Sequence, residues 1–339
     1  MDRKYDVITL GEILLRLSTP INGRLAQGDT LMKHLGGAEL NIASEIGQLG
    51  LKTAMISKIP NNLLAAFIKN QMNASRVSEN YLISDTADDS RIGVYYYEYG
   101  SYPRKPRVVY DRKHSSINNI NIKDVPETMF YNTRLFHTSG ITLGLGGNAQ
   151  EFAIECIRKF KEQGTLISFD VNYRANLWTG EEARACIEQI LPYVDIFFCS
   201  EDTARLTFGK TGTIEEIQKS FCEEYPISVV ASTERTVITP KKHNFTSIIY
   251  SAKNDSYYRE EPYNNIDVVD RIGSGDAYVS GALYGYLKHK DCRKALEYGN
   301  AMAAIKHSVI GDMITTDLEE IDSIIAEHKN TGYHSEMNR

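Results

Sequence analysis

Short runs of β-branched and apolar residues recur at 6–10, 53–58, 134–138, 165–170, 194–199 and 227–232. Most are followed by stretches in which apolar positions return every three or four residues, at 39–49, 61–73, 148–163, 180–191, 201–208 and 214–224. The first kind of segment predicts buried strands and the second predicts amphipathic helices. Their alternation predicts an α/β fold, a doubly wound, mainly parallel sheet flanked by helices. Three more helical patterns, 275–289, 291–308 and 317–328, close the chain. No internal repeat, low-complexity tract or Pro-rich linker interrupts it. Residues 1–330 are therefore expected to form one domain, and 331–339 a disordered tail.

Two pieces break the rhythm, residues 12–35 and 91–113. In the second, Arg-Ile-Gly-Val-Tyr-Tyr-Tyr-Glu-Tyr and Arg-Val-Val-Tyr-Asp-Arg flank a turn from Gly100 to Pro106, which predicts a β-hairpin. A hairpin inserted into a doubly wound domain stands outside the main sheet. The two pieces are expected to form a small β lid over the sheet edge, where ligands of such folds bind.

Charge narrows the partners. The 339 residues carry a formal net charge of −6, which gives no general reason to bind nucleic acid. The basic residues Arg104, Lys105, Arg107, Arg112, Lys113 and His114 are interleaved with tyrosines at 95, 96, 97, 99, 102 and 110. Such a mixture suits stacking on single-stranded nucleic acid, but a strand pair closing over a small anion explains it as well and agrees with the acidic remainder. Five scattered cysteines without a Cys-x-x-Cys pair argue against disulfides and structural zinc. No apolar stretch approaches the length of a membrane span or a signal core, so a cytoplasmic protein is expected. Exposed lid strands favour a homodimer or higher homo-oligomer.

The segment with most chemistry is Val268-Val-Asp-Arg-Ile-Gly-Ser-Gly-Asp-Ala-Tyr278. It joins an extended run to an apolar helix through Gly273, Ser274 and Gly275, with Asp276 in the first helical turn. Backbone N–H groups at such a junction converge on an anion, and the helix dipole assists them. A carboxylate beside an anion cradle has a use in phosphoryl transfer, which needs a proton acceptor near the attacking hydroxyl. It also occurs in plain helix starts. Two other glycine motifs carry less. Ala204-Arg-Leu-Thr-Phe-Gly-Lys-Thr211 ends like a P-loop but lacks the first glycine and reads as helix. Gly144-Leu-Gly-Gly-Asn-Ala149 has the look of a dinucleotide fingerprint, but it comes mid-chain with Asp170 as the one acidic residue at a fitting distance, which leaves a nicotinamide-dependent enzyme as a minor alternative.

Taken together, these motifs resemble those of the pfkB or ribokinase-type carbohydrate kinases, from Gly11 to about residue 325. The N-terminal signature is Leu35-Gly36-Gly37-Ala38-Glu39-Leu40-Asn41-Ile42-Ala43 with Leu49-Gly50, and the C-terminal one is Asp270 to Ala277. Within the family, Gly11 to Ser18, Asp170 to Trp178 and Lys306 to Asp312 are similar to the 2-keto-3-deoxygluconate kinase subgroup. The resemblance implies a ribokinase-like fold, ATP and Mg2+ as cofactors, and a sugar acid as the small-molecule partner. It implies Asp276 as base, with Gly273, Ser274, Gly275 and Arg174 around the transferred phosphoryl group. Gly36, Gly37, Asn41, Tyr95, Tyr110, Arg112, Arg174 and Asp312 would surround the acceptor. Asn172, Arg174, Thr233, Arg235, Gly273, Gly275 and Asn300 would meet the nucleotide. Ser200-Glu-Asp-Thr203 stands where relatives carry Asn-x-x-Glu for magnesium, leaving Glu201 or Asp202 as substitutes, or the nucleotide's own phosphates.

The resulting expectation is ATP-dependent phosphorylation of 2-keto-3-deoxy-D-gluconate on its terminal hydroxyl. A kinase for a neutral sugar such as fructose, or a nucleotide- or sugar-binding sensor that has lost catalysis, are the alternatives.

Overall fold

The computed structural model describes residues 3–330. The first apolar run forms β1 (Tyr5–Leu10), after which the chain leaves the main sheet for β2 (Leu14–Ser18) and β3 (Met32–Gly36). It returns through α1 (Ala38–Gln48) to β4 (Thr53–Pro60), then through α2 (Leu63–Ala74) to β5 (Val77–Asp85). A second excursion makes the hairpin of β6 (Gly93–Glu98) and β7 (Arg107–Asp111). There follow β8 (Thr133–Ser139), a short α3 (Gly140–Leu143), α4 (Gly147–Glu162), β9 (Leu166–Asp170), α5 (Gly180–Glu188) and β10 (Ile196–Phe198). After α6 (Glu201–Phe208) and α7 (Ile214–Glu224), the chain forms β11 (Val229–Thr239), β12 (Lys242–Ser251), β13 (Ser256–Arg259) and β14 (Tyr263–Asp267). It ends in α8 (Ser274–His289), α9 (Cys292–His307) and α10 (Leu318–Lys329).

The main sheet runs β13-β12-β11-β10-β9-β8-β1-β4-β5, with β14 also paired to β12. From β11 to β5 every pairing is parallel, and β12 to β14 add an antiparallel edge. Alternation along the strands assigns side chains to two helical layers. On β10, Phe197 packs with Phe208 of α6 and Phe221 of α7. Ile196 and Phe198, pointing the other way, share a core with Tyr278 and Leu283 of α8 and Leu296 of α9. Each such side chain taken fully out of water contributes roughly 1.5–3 kcal/mol, which makes this two-faced burial the main stabilising force. Glycines 281 and 285 on α8 lie against the α9 backbone, where a Cβ would overlap Tyr298 and Lys294. Their absence of side chains lets α8 sit deep, with its N-terminus at the centre of the molecule.

Order reverses at β1, whose neighbours are β4 on one side and β8 on the other. In open α/β sheets a crevice forms at the carboxyl ends of the strands flanking such a reversal. Over it lies a second sheet, ordered β3-β2-β6-β7, with β2 and β6 parallel. One face of this small sheet packs Ile13, Leu15 and Leu35 against α1 and α2, while the other gathers Leu14, Tyr95, Tyr97 and Tyr99 towards the crevice.

Some strand limits differ from expectation. The run expected to stop at 232 continues as β11 to Thr239 and folds back as β12, so Thr233-Glu234-Arg235 lies within a strand rather than after it. The P-loop look-alike is the C-terminus of α6, where Gly209 adopts a left-handed φ of 68°. Gly146 and Gly147, also at positive φ, precede and open α4 with no neighbouring atom close to them. The expected tail at 331–339 lies outside the described residues.

Candidate active site

The turn between β14 and α8 is held by backbone contacts. The N–H groups of Val269 and Asp270 both donate to the carbonyl of His307 at the end of α9. Gly273 caps α8 in the left-handed region (φ 83°), and a Cβ there would overlap the Asp312 carbonyl. Gly275 faces open space, with no atom near its missing side chain. The first-turn N–H groups of α8 lack intrahelical partners, so the helix presents a concentrated positive end to the crevice.

Asp276 sits in that first turn. Its Oδ2 accepts a hydrogen bond from Asn41 Nδ2 of α1 at 2.6 Å. Burial pushes its pKa up to about 6, against the Asn41 bond and Arg174, which pull it down. A carboxylate of this basicity is still ionised at neutral pH and is a better proton acceptor than an exposed aspartate. Its Oδ1 is left for a ligand.

A cavity of about 480 Å³ lies in front of Asp276. Gly37, Asn41, Tyr95, Tyr110, Arg112 and Asp312 line it on the lid side, and Asn172, Arg174, Arg235, Gly273, Ser274 and Gly275 on the turn side. Residues drawn from two ends of the sequence thus face one space. Gly36 sits just behind, where a Cβ would overlap the Asp312 carboxylate. Glu12, Asp170 and Arg271 also line the cavity and were not among the expected site residues. Asp170 is half-buried at the end of β9, and the loss of solvent around it raises its pKa to about 7.

On the lid side, three expected ligands are already partnered. Arg112 was expected to offer a free cation; instead its Nε donates to Glu12 Oε2 at 2.8 Å and its Nη2 to the same oxygen. Glu12 neutralises it because both are buried, and an unpaired charge there would be costly. Arg112 and the half-exposed Tyr110 still line the cavity. The Tyr95 hydroxyl donates to Asp312 Oδ2. Asp312 Oδ1 accepts from Arg16 Nη1 at 2.8 Å, so Asp312 is an anchored carboxylate rather than a free one.

Arg16 is the largest fully buried side chain and the residue most clearly missed by sequence reasoning. Besides Asp312 it donates through Nη2 to Asp270 Oδ2 at 2.5 Å and to the Tyr99 hydroxyl at 3.1 Å. Its guanidinium also lies over the Tyr97 ring, 4.5 Å from the centroid. Burial alone would lower its pKa, but Asp312 and Asp270 more than offset that and raise it. The signal available in the sequence was one cation inside the apolar strand Leu-Leu-Arg-Leu-Ser. Its carboxylate partners, more than 250 positions away, leave no local trace.

On the turn side the cations are freer. Arg174 donates only to the carbonyls of Asn172 and Tyr173. Burial lowers the Arg235 pKa and neighbouring Arg271 lowers it further, with no carboxylate offsetting them. Three guanidinium groups beside a helix N-terminus form a site for a polyanion. A second cavity of about 280 Å³ adjoins the first, sharing Asp170, Asn172, Arg174 and Gly275. Thr233, Ser200 and Thr203 line it. Asn300 does not. Expected beside the nucleotide, it is fully buried, accepting from Ser247 Oγ at 2.7 Å and donating to Glu260 at 2.7 Å. Of the magnesium substitutes, neither Glu201 nor Asp202 lines either cavity, and Glu201 pairs with Arg205 one turn along α6. Among the described residues no group of three or more His, Cys, Asp or Glu side chains is placed to hold a metal.

A doubly wound sheet, an anion cradle at a helix start and a half-buried carboxylate facing a lid define a phosphotransferase for a small hydroxyl-bearing acceptor. Known proteins agree. The model of the pfkB family carbohydrate kinases matches residues 4–318. The chain is 30% identical over 320 residues to the 2-dehydro-3-deoxygalactonokinase of Haloferax volcanii, covering 94% of this chain and 96% of the relative. It is 28% identical over 335 residues to a 5-dehydro-2-deoxygluconokinase of Clostridium perfringens, covering 96% and 94%. The solved structure of 2-dehydro-3-deoxygluconokinase from Thermotoga maritima matches at a TM-score of 0.90 and 30% identity, over 96% of this chain and all of that one. The chain belongs to the pfkB family of carbohydrate kinases. No helix among the described residues is long and apolar enough to cross a membrane.

Proposed function

We propose that this carbohydrate kinase phosphorylates the terminal primary hydroxyl of 2-keto-3-deoxy-D-gluconate, using ATP. The observation that carries the reading is the position of Asp276, whose carboxylate stands between a lid face bearing Tyr110 and Arg112 and a turn flanked by three arginines. Three relatives whose names denote kinases of dehydro-deoxy sugar acids support the acidic class of acceptor.

The acceptor hydroxyl attacks the terminal phosphorus of ATP, the bond from that phosphorus to the ADP oxygen breaks, and the hydroxyl proton passes to Asp276. The Asn41 bond fixes the carboxylate so that Oδ1 meets the proton. N–H groups of the Gly273–Asp276 turn and the guanidinium of Arg174 stabilise the charge spread over the phosphoryl oxygens. Arg235 and Arg271 hold the remaining phosphates. pfkB kinases use ATP with Mg2+; the residues here suit an ion held chiefly by the nucleotide's phosphates, with Asp170 lining both cavities as the carboxylate that would assist. When bound, the ion supplies neutralisation of phosphate charge. Tyr110 and Arg112, which line the lid side of the cavity, meet the acceptor's carboxylate end, and the lid excludes water that would hydrolyse ATP.

The test is a panel of sugar acids and neutral sugars assayed for acceptor-dependent ADP release and ranked by kcat/KM. The keto-deoxy acid should rank first. A neutral hexose at the head of the list would replace this reading with the fructokinase one, and no acceptor-dependent ADP from any sugar would leave a binding protein.

A further inference from the structure

Arg16 touches neither cavity, yet its two carboxylate partners bracket the catalytic turn. Asp270 begins that turn: its Oδ1 accepts the N–H of Ile272 at 3.0 Å, and its Oδ2 accepts the N–H of Gly311 at 3.2 Å. Asp312 closes it from the other side, its carbonyl packed against Gly273 and its carboxylate against Gly36. Lys306, also fully buried, adds a cross-link by donating to the carbonyls of Asp270 at 3.1 Å and Val309 at 2.9 Å. The turn therefore keeps its shape through two anions that would repel each other without a cation between them.

That cation belongs to the lid. In the register of the small sheet, Arg16 on β2 lies beside Tyr95 on β6, which lies beside Tyr110 on β7. One row of side chains thus runs from the exposed lid edge, past the acceptor cavity, to the carboxylates of the turn. Asp312 is the meeting point, holding Tyr95 on one oxygen and Arg16 on the other.

We propose that Arg16 is a positioning residue that couples the acceptor-binding lid to the phosphate cradle, so that the Gly273–Asp276 turn is in register for transfer only while Arg16 joins Asp270 and Asp312. This rests on the kinase reading above but not on which sugar is the acceptor. Breaking the link displaces the turn relative to the acceptor without removing any group that contacts nucleotide or sugar.

The experiment compares wild type, Arg16→Met and Arg16→Lys on whichever acceptor the wild type prefers, so that a mistaken acceptor and a mistaken role for Arg16 give different results. Three quantities are read: kcat, the nucleotide Kd, and the ratio of ADP released to sugar phosphate formed. Arg16→Met should lose about 100-fold in kcat, the cost typical of a small displacement of reacting groups. Its nucleotide Kd should stay within about threefold of wild type, and its ratio of ADP to sugar phosphate should rise above one as water competes with the misplaced acceptor. Arg16→Lys, whose ammonium reaches one carboxylate but not both, should recover about tenfold of the lost kcat and part of the ratio. An Arg16→Met enzyme with near-normal kcat and a ratio of one overturns the proposal. So does a variant in which kcat and nucleotide affinity fall together with thermal stability while the ratio stays at one, since that is simple loss of structure. If Arg16→Met does not fold, Arg16→Lys decides: wild-type kcat and ratio reject the coupling, and a raised ratio with unchanged nucleotide Kd supports it.

Discussion

The chemistry of a single residue, Asp276, gives the sharpest prediction. Asp276→Asn keeps shape and the contact with Asn41 but removes the proton acceptor, so kcat should fall by about 10³-fold, within the usual range for losing a general base. Calorimetric binding of nucleotide should be nearly unchanged. In the wild type, protonation of Asp276 has the same effect. With its pKa near 6, kcat/KM should drop about tenfold per unit below that pH and be level above it until another group titrates. A profile that stays level down to pH 5 would overturn the raised pKa of Asp276, and a near-normal kcat in Asp276→Asn would exclude it as the base. This residue was legible in the sequence because the helix-start glycines and the carboxylate are neighbours. Arg16, Glu12 and Asp170 were not: each acquires its role from buried partners or strand ends that only the folded chain brings together.

At the scale of elements, the glycine turn and the lid respond differently to substitution. Gly273→Ala places a methyl group on the Asp312 carbonyl at a left-handed φ, and both the overlap and the backbone strain oppose it. Activity should be lost to near background. Thermal unfolding should report a destabilisation of about 2 kcal/mol or more, because the segment at 312 has to move. Arg112→Ala acts otherwise. It strands Glu12 in a buried site with Ser115 as its remaining hydrogen-bond donor, which costs about 3–5 kcal/mol for a broken buried pair. The KM for a sugar acid should rise at least about tenfold, with a smaller change for any neutral sugar that is turned over. Equal effects on both would make Arg112 a purely structural partner of Glu12. Most elements were legible because β-branched runs and the helical period are strong local signals. β5 was hidden by its mixed exposure, characteristic of an edge strand, and β12 by a turn at 240–241 with no glycine to mark it.

The whole molecule gathers buried and half-buried carboxylates around the crevice, and this shapes how stability depends on pH. Burial raises Glu45 to about 8, Asp170 to about 7 and Asp276 to about 6, above the ordinary carboxylate values they regain on unfolding. The folded state therefore holds protons that the unfolded chain releases, and stability must fall as pH rises through 6 to 8. Buried histidines oppose this at lower pH. Burial holds His243 near 4 and His137 near 3, so the unfolded chain takes up protons below about 6.5 that the folded state refuses. Between pH 8.5 and 6.5 the raised carboxylates act, joined at the alkaline end by the cysteine thiols, which burial also raises and which shift stability in the same direction. The midpoint of thermal unfolding of ligand-free enzyme should rise over that interval by on the order of 2 °C per pH unit and then level off. Glu45→Gln, which can still accept from the Ile314 N–H, should flatten the slope at its alkaline end. Catalysis needs Asp276 ionised while folding favours it protonated, so acidification from pH 8 to 6.5 should raise stability with no gain in activity, and activity should fall only below about pH 6. A midpoint that increased towards alkaline pH would show that these carboxylates are ionised and paired in the folded enzyme, and would remove the basis for an elevated Asp276.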